Sequence, residues 1–112
     1  RRNRVRHELL PLLNDIAQRD VVPVLARQAA LLRDEADALD AHGLDPTDAV
    51  ALAAAPVALA RRAVRAWLST DHPPDAATVE RVLAVARNEA KATDVGAHRR
   101  VARTNNVLRL ER

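Results

Sequence analysis

One aromatic side chain, Trp67, serves the whole 112-residue chain, and Phe, Tyr, Met and Cys are absent. Any core must therefore be assembled from Ala, Leu and Val around a single indole. Such a core is thin, because each small side chain removes little apolar area from water. Ala-rich helices recover part of that loss through their backbone propensity. One domain of this length buries about 65% of the surface its unfolded chain would expose, so the expectation is a single domain over residues 1–112.

The missing cysteines exclude disulfide scaffolds and thiolate zinc sites. No apolar run approaches the roughly 18 residues of a membrane span, and nothing reads as a signal peptide. The expected location is cytoplasmic, with no membrane partner. With no initiator Met in front and none elsewhere, the chain is expected to be a piece of a longer protein.

The formal charge is +3 with a pI near 10.9, and Lys91 is the only lysine. A GC-rich genome encodes Arg and Ala readily and Lys poorly, so the arginine preference is not in itself a functional signal. Placement says more. Asp20, Asp34, Glu35, Asp37, Asp40, Asp45 and Asp48 outnumber Arg27 and Arg33 in the middle, whereas the first six residues and the stretch from Arg99 to Arg112 are basic. Basic ends around an acidic middle suit a protein that touches a polyanion at chosen places.

The spacing predicts a helix over 3–18 with Asn3 as N-cap, a kink or break at Pro11, and a buried stripe of Leu9, Leu12, Leu13 and Ile16. A second helix opens at Asp20 with Pro23 in its first turn. Leu25, Ala29, Leu32, Ala36 and Leu39 repeat at helical spacing there, and an antiparallel pair with the first helix is expected. Gly43 ends that helix, and Asp45 or Thr47 is expected to cap a short one over 48–54. Pro56 begins the next, running to about Leu68, with Val57, Ala60, Val64, Trp67 and Leu68 inward. Asp75 caps a last helix, about 76–89, with Val79, Val82, Leu83 and Ala86 inward.

From Thr93 the period changes from 3.6 to 2. Short strands are expected near 92–95, 99–103 and 107–111, with Asn105-Asn106 as a two-residue hairpin turn because Asn tolerates positive φ. The fold class is mainly α (α+β): four to five helices and a small C-terminal antiparallel β-hairpin or sheet.

Absences bound the chemistry. Two glycines, Gly43 and Gly96, cannot build a Gly-rich phosphate loop, and the lone Ser69 has no adjacent His-acid pair. His7-Glu8 begins like a His-Glu-x-x-His zinc helix, but Pro11 occupies the second ligand position. No catalytic or metal-ligating residue is assigned. The acidic run Asp34, Glu35, Asp37, Asp40 reads as a solvated helix face, and Trp67 as a core side chain rather than a base-stacking one.

Three arginine groups remain. Arg1, Arg2, Arg4 and Arg6 form either a solvated terminal turn or a contact for RNA phosphates or for another domain of the longer protein. Arg61, Arg62 and Arg65 crowd into about a 100° arc, where like charges repel by a few tenths of a kcal/mol unless an anion joins them. Arg99, Arg100, Arg103 and Arg109 either follow a phosphate backbone or protect a strand edge from aggregation.

The segment Asn3-Arg4-Val5-Arg6-His7-Glu8-Leu9-Leu10-Pro11 resembles the Asn-Arg-x-Arg-His-Glu-Leu-Leu-Pro stretch that follows the catalytic domain in bacterial tRNA(Ile)-lysidine synthetases. Leu25-Ala26-Arg27-Gln28-Ala29-Ala30-Leu31-Leu32-Arg33-Asp34-Glu35 and Arg61-Arg62-Ala63-Val64-Arg65-Ala66-Trp67-Leu68 look like that family's next helices. The Ala41–Leu44 connection is short for the family. The resemblance implies a junction helix over 1–19, a helical substrate-binding region over 20–91 and a small β region over 92–112. It also implies an upstream ATP-cleaving domain, since nothing here matches the family's Ser-Gly-Gly-x-Asp-Ser loop.

The implied function is that of the tRNA-contacting, substrate-binding domain. In the full enzyme, ATP with Mg would adenylate C2 of the wobble cytidine of tRNA(Ile), and the side-chain amine of lysine would displace AMP. No cofactor is expected in this chain. The implied partners are tRNA(Ile) and the upstream domain, with no DNA. RNA contact is expected at Arg4, Arg6, Arg61, Arg62 and Arg65, with His7 a weaker candidate. A non-enzymatic helical protein-interaction module is the alternative, and a small DNA-binding regulator stands third.

Overall fold

A computed structural model describes all residues, Arg1–Arg112, and divides them into two compact units, Arg1–Leu39 and Asp40–Arg112. The fold is α+β as expected, with helices through the first three-quarters and a three-stranded antiparallel sheet at the end.

In the first unit Pro11 governs the local geometry. Its missing N–H and its ring are incompatible with an ordinary i→i−4 bond to the carbonyl of His7. The helix neither breaks nor stops there. It runs as α1 (Arg2–Arg4), a π-helical turn (Val5–Leu9) and α2 (Leu10–Ala17), with the Leu10 N–H bonded to Val5 O. Widening one turn relieves the clash. Arg1, not Asn3, holds the N-cap position, and it makes no side-chain cap.

Gln18 ends α2 in the left-handed conformation, with φ of 58°. Asn14 Oδ1 then accepts from Val21 N–H at 2.8 Å, and Asp20 Oδ1 from Val22 N–H at 3.1 Å, starting α3 (Val22–Asp40). The antiparallel burial expected of α2 and α3 does not occur. Neither helix has a buried residue, and Leu12, Ile16 and Leu32 are 54%, 70% and 62% exposed. Length explains part of this, since eight residues of α2 span roughly 12 Å at 1.5 Å per residue, too short to cover the 19-residue α3.

The second unit holds the core. Asp48 caps α4 (Ala49–Ala54) by accepting from Ala51 N–H at 3.1 Å. Asp45, one of the two predicted caps, instead closes a turn onto the amide and hydroxyl of Thr47 at 2.8 and 2.7 Å. Its Asx geometry satisfies the local backbone before the helix begins. Pro56 leads into α5 (Val57–Leu68), and Asp75 caps α6 (Ala76–Ala86) by accepting from Thr78 N–H at 2.8 Å.

The sheet follows in the order β1 (Ala92–Gly96), β2 (Arg99–Thr104) and β3 (Val107–Glu111). Asn105 and Asn106 have φ of 51° and 63°, the paired left-handed geometry of a tight hairpin. Ala97 and His98 make the other two-residue turn with φ of 53° and 58°, a conformation their side chains do not advertise. The second hairpin is pinned to α4. Ala49 N–H reaches Asn106 O at 3.0 Å, and Leu108 N–H reaches Thr47 O at 2.8 Å.

Leu52, Val64, Leu68, Val79, Val82, Leu83, Val85, Val101 and Leu108 are the largest fully buried side chains. Trp67 is half-buried and packs against them, as a core side chain should, while Val57 stays largely exposed rather than facing inward. Every residue expected to face inward from α6 does so.

The Asp75 cap carries a pH signature. Hydrogen bonding from Thr78, side chain first and backbone amide second, holds this carboxyl below its usual value of 3.8. A lowered native value means the stabilisation is complete above the unfolded pKa and fades as pH falls through the native one. Asp75→Asn keeps the capping oxygen but loses the charge at the helix N-terminus. It is expected to unfold at lower urea than the wild type at neutral pH, with the gap narrowing as pH falls below the usual carboxylate value of 3.8. A gap independent of pH would show that the charge does nothing.

Candidate nucleic-acid interface

The arginines of α5 lie between two acids. Arg61 Nε pairs with Glu80 Oε1 of α6 at 2.6 Å, and Arg62 Nε pairs with Asp40 Oδ1 at 2.6 Å. The Arg62 hydrogen bond holds the Asp40 carboxyl below its usual range. Helical geometry places Arg65 between these two at 100° per residue, and its exposed guanidinium forms no ion pair. Glu80 and Asp40 therefore offset the mutual repulsion of the cluster from its two edges and leave Arg65 at its centre.

On the first unit, Arg4 Nε pairs with Glu8 Oε2 at 2.9 Å, with 81% and 61% of the two side chains exposed. Arg6 and His7 are exposed on the π-helical turn. Exposed pairs such as Arg4–Glu8 and Arg61–Glu80 contribute about 1 kcal/mol or less, so a phosphate can displace either carboxylate at small cost. Arg62 is half-buried and the most engaged of the six predicted residues. Arg4, Arg6 and His7 belong to one compact unit and Arg61, Arg62 and Arg65 to the other.

The third arginine group does not act as one surface. Alternation along β2 puts Arg99 and Arg103 on the same face as the buried Val101, and Arg100 on the other, where Ala102 pairs with Arg109 of β3. Arg103 donates to Ala86 O at the end of α6 and to Asn106 Oδ1. Arg99 donates to Leu68 O at the end of α5, at 3.4 Å. Two strand arginines thus serve the unsatisfied C-terminal carbonyls of two helices, where positive charge is favoured. Arg100 pairs with Glu111 Oε2 at 3.0 Å.

Arg81 was not singled out from sequence. It ties α6 to β1 through Thr93 Oγ1 at 3.3 Å and Asp94 O at 3.4 Å. The period-2 pattern around Val101 was the available signal for Arg99 and Arg103, while Arg81 left none.

Residues 48–100, from the α4 cap into β2, match the family described as the TilS substrate binding domain. Similar proteins include the tRNA(Ile)-lysidine synthase of Thermobifida fusca, 43% identical over 97 residues covering 77% of this chain and 30% of that protein. The synthase of Nocardia farcinica is 46% identical over 76 residues, 60% of this chain and 24% of the relative.

This chain carries a TilS substrate-binding domain. It spans less than a third of the length of these curated relatives. The matched TilS segment contains the α5 cluster, whereas Arg4, Arg6 and His7 precede it. No helix of this TilS domain is long and apolar enough to cross a membrane.

Proposed function

We propose that this chain positions tRNA(Ile) for a tRNA(Ile)-lysidine synthase and holds none of the bond-making groups. The observation that carries this reading is the arginine cluster of α5, with Arg65 uncommitted at its centre, inside the segment that matches the substrate-binding family. Guanidinium forks at such a surface bind phosphate oxygens without reading bases. Orientation of this kind is worth several kcal/mol of barrier when a large substrate must present one base.

In the whole enzyme, adenylation of the wobble cytidine and attack by the lysine amine would proceed at other residues. The residues here do not suit ATP. Gly43 follows α3 in a turn, Gly96 ends β1, and the Ser69 hydroxyl donates to Arg65 O at 2.6 Å. No group of three His, Asp or Glu side chains could hold a metal ion. Binding and orienting RNA would fall to Arg4, Arg6, Arg61, Arg62 and Arg65 on phosphates, with His7 beside them.

A filter-binding titration of tRNA(Ile) tests this. Arg61→Ala with Arg65→Ala is expected to weaken binding about tenfold and to flatten the dependence of log K on log salt by roughly two, one unit per phosphate lost. Melting temperature should hold, because neither side chain enters the core. The exposed Leu and Ile side chains of α2 and α3 favour a second reading, a protein-docking module. Unchanged tRNA affinity in the double variant would support that reading instead.

A further inference from the structure

We propose that Glu80 is a positioning residue for the α5 cluster: it holds Arg61 by one edge of its guanidinium and presents the other edge, already oriented, to a phosphate of the RNA strand. The proposal deepens the RNA-positioning reading and rests on it. Arg61 and Glu80 both lie within the matched residues 48–100.

Packing, not sequence proximity, brings the two side chains together. Arg61 follows the buried Ala60 on α5, and Glu80 follows the buried Val79 on α6. These helices pack against each other, so both backbones are held and the carboxylate returns to one place. Of the Arg61 guanidinium only Nε is engaged, by Glu80 Oε1 at 2.6 Å. Its terminal nitrogens form no hydrogen bond. A guanidinium carries N–H donors on every nitrogen, and a phosphate taken end-on needs only the terminal ones. Displacement of Glu80 is open to a phosphate but is not required of one.

An exposed arginine loses rotamer freedom when a ligand orders it, and that loss opposes binding. Arg65, exposed and without an ion pair, meets the loss in full. Arg61, one helical turn away, meets less of it because Glu80 already restrains the side chain. Arg62 is held by the same nitrogen on the other side of the cluster, Nε to Asp40 Oδ1. A carboxylate that served only to neutralise would act in the opposite sense, since it repels an arriving phosphate. Arg–carboxylate pairs are frequently bidentate, and the one-edged contact here favours orientation. The two roles predict opposite signs when Glu80 is removed, so they are separable.

The test is a double-mutant cycle in the 112-residue chain, read by filter binding of tRNA(Ile). Glu80→Ala is expected to weaken binding about threefold, although it removes a negative charge from the surface. Glu80→Gln keeps an acceptor for Arg61 Nε and should restore wild-type affinity or better. In an Arg61→Ala background, Glu80→Ala should weaken nothing further, because its effect passes through Arg61. Both Glu80 variants should melt with the wild type, since the side chain is exposed. If Glu80→Ala shifts the melting temperature, Arg61→Lys takes its place. Lysine keeps the charge but has no planar fork to aim, so weaker binding supports the proposal and unchanged binding overturns it.

Tighter or unchanged binding by Glu80→Ala, no rescue by Glu80→Gln, or a full Glu80→Ala effect in the absence of Arg61 overturns the proposal. Weaker binding by Arg61→Ala with Arg65→Ala would then leave the RNA-positioning reading standing. Unchanged tRNA affinity in that double variant removes both.

Discussion

Leu83→Ala is expected to destabilise the second unit by about 3 kcal/mol, within the range for a fully buried leucine. Leu83 is 1% exposed, on a helix that packs against α4, α5, β1 and β2 together. The reason to expect a full penalty is compositional. The largest fully buried side chains are four leucines among valines, with no Phe or Met to slide into the cavity. Small side chains held in regular helices collapse poorly onto a void.

Against a total stability of about 5–15 kcal/mol, such a loss moves the urea midpoint far enough to read without ambiguity. Leu32→Ala, at a position 62% exposed, serves as the control and should change stability by less than about 0.5 kcal/mol. Equal effects at the two positions would mean that the core is not where the structure puts it.

The second expectation concerns the contrast between the two units. Amide hydrogen exchange in the 112-residue chain should be at least about 1,000-fold slower at Val82, Leu83 and Val85 of α6 than through α2 and α3. The α6 amides can exchange only when the shared core opens, because these three side chains are 0–1% exposed. Helices without buried residues have only propensity and local bonds to hold them, whereas most helical stability in proteins comes from tertiary packing of an apolar face. Equal protection in both units would show that the exposed leucines of α2 and α3 are covered in solution. That result would favour the docking-module reading of those helices.

Much of the second unit was legible from local chemistry. Pro56, Asp75 and the Asn105-Asn106 pair each impose a backbone geometry within a few residues of themselves, so the α5 start, the α6 cap and the second hairpin follow from short-range rules. The Ala97-His98 turn carries no such mark and is set by the strand pairing on either side. At Pro11 the difficulty could be read from sequence, but its resolution could not. A break, a bend and a widened turn all relieve the same clash.

The family, too, was legible in the Trp-bearing helix, which lies within the matched residues 48–100, whereas the junction motif precedes them. Helical periodicity, caps and turns are encoded over three or four residues and need no partner. Burial is different, because an apolar stripe acquires a core only when another surface meets it. Leu12 and Leu32 carry the same spacing signal as Val82 and Leu83, yet only the latter pair is buried. The arginines obey the same logic. Charge and spacing mark Arg61, Arg65, Arg99 and Arg103 alike, but packing turns Arg99 and Arg103 to the carbonyl ends of helices and leaves Arg61 and Arg65 outward. Long-range assembly chooses among faces that short-range chemistry has already made.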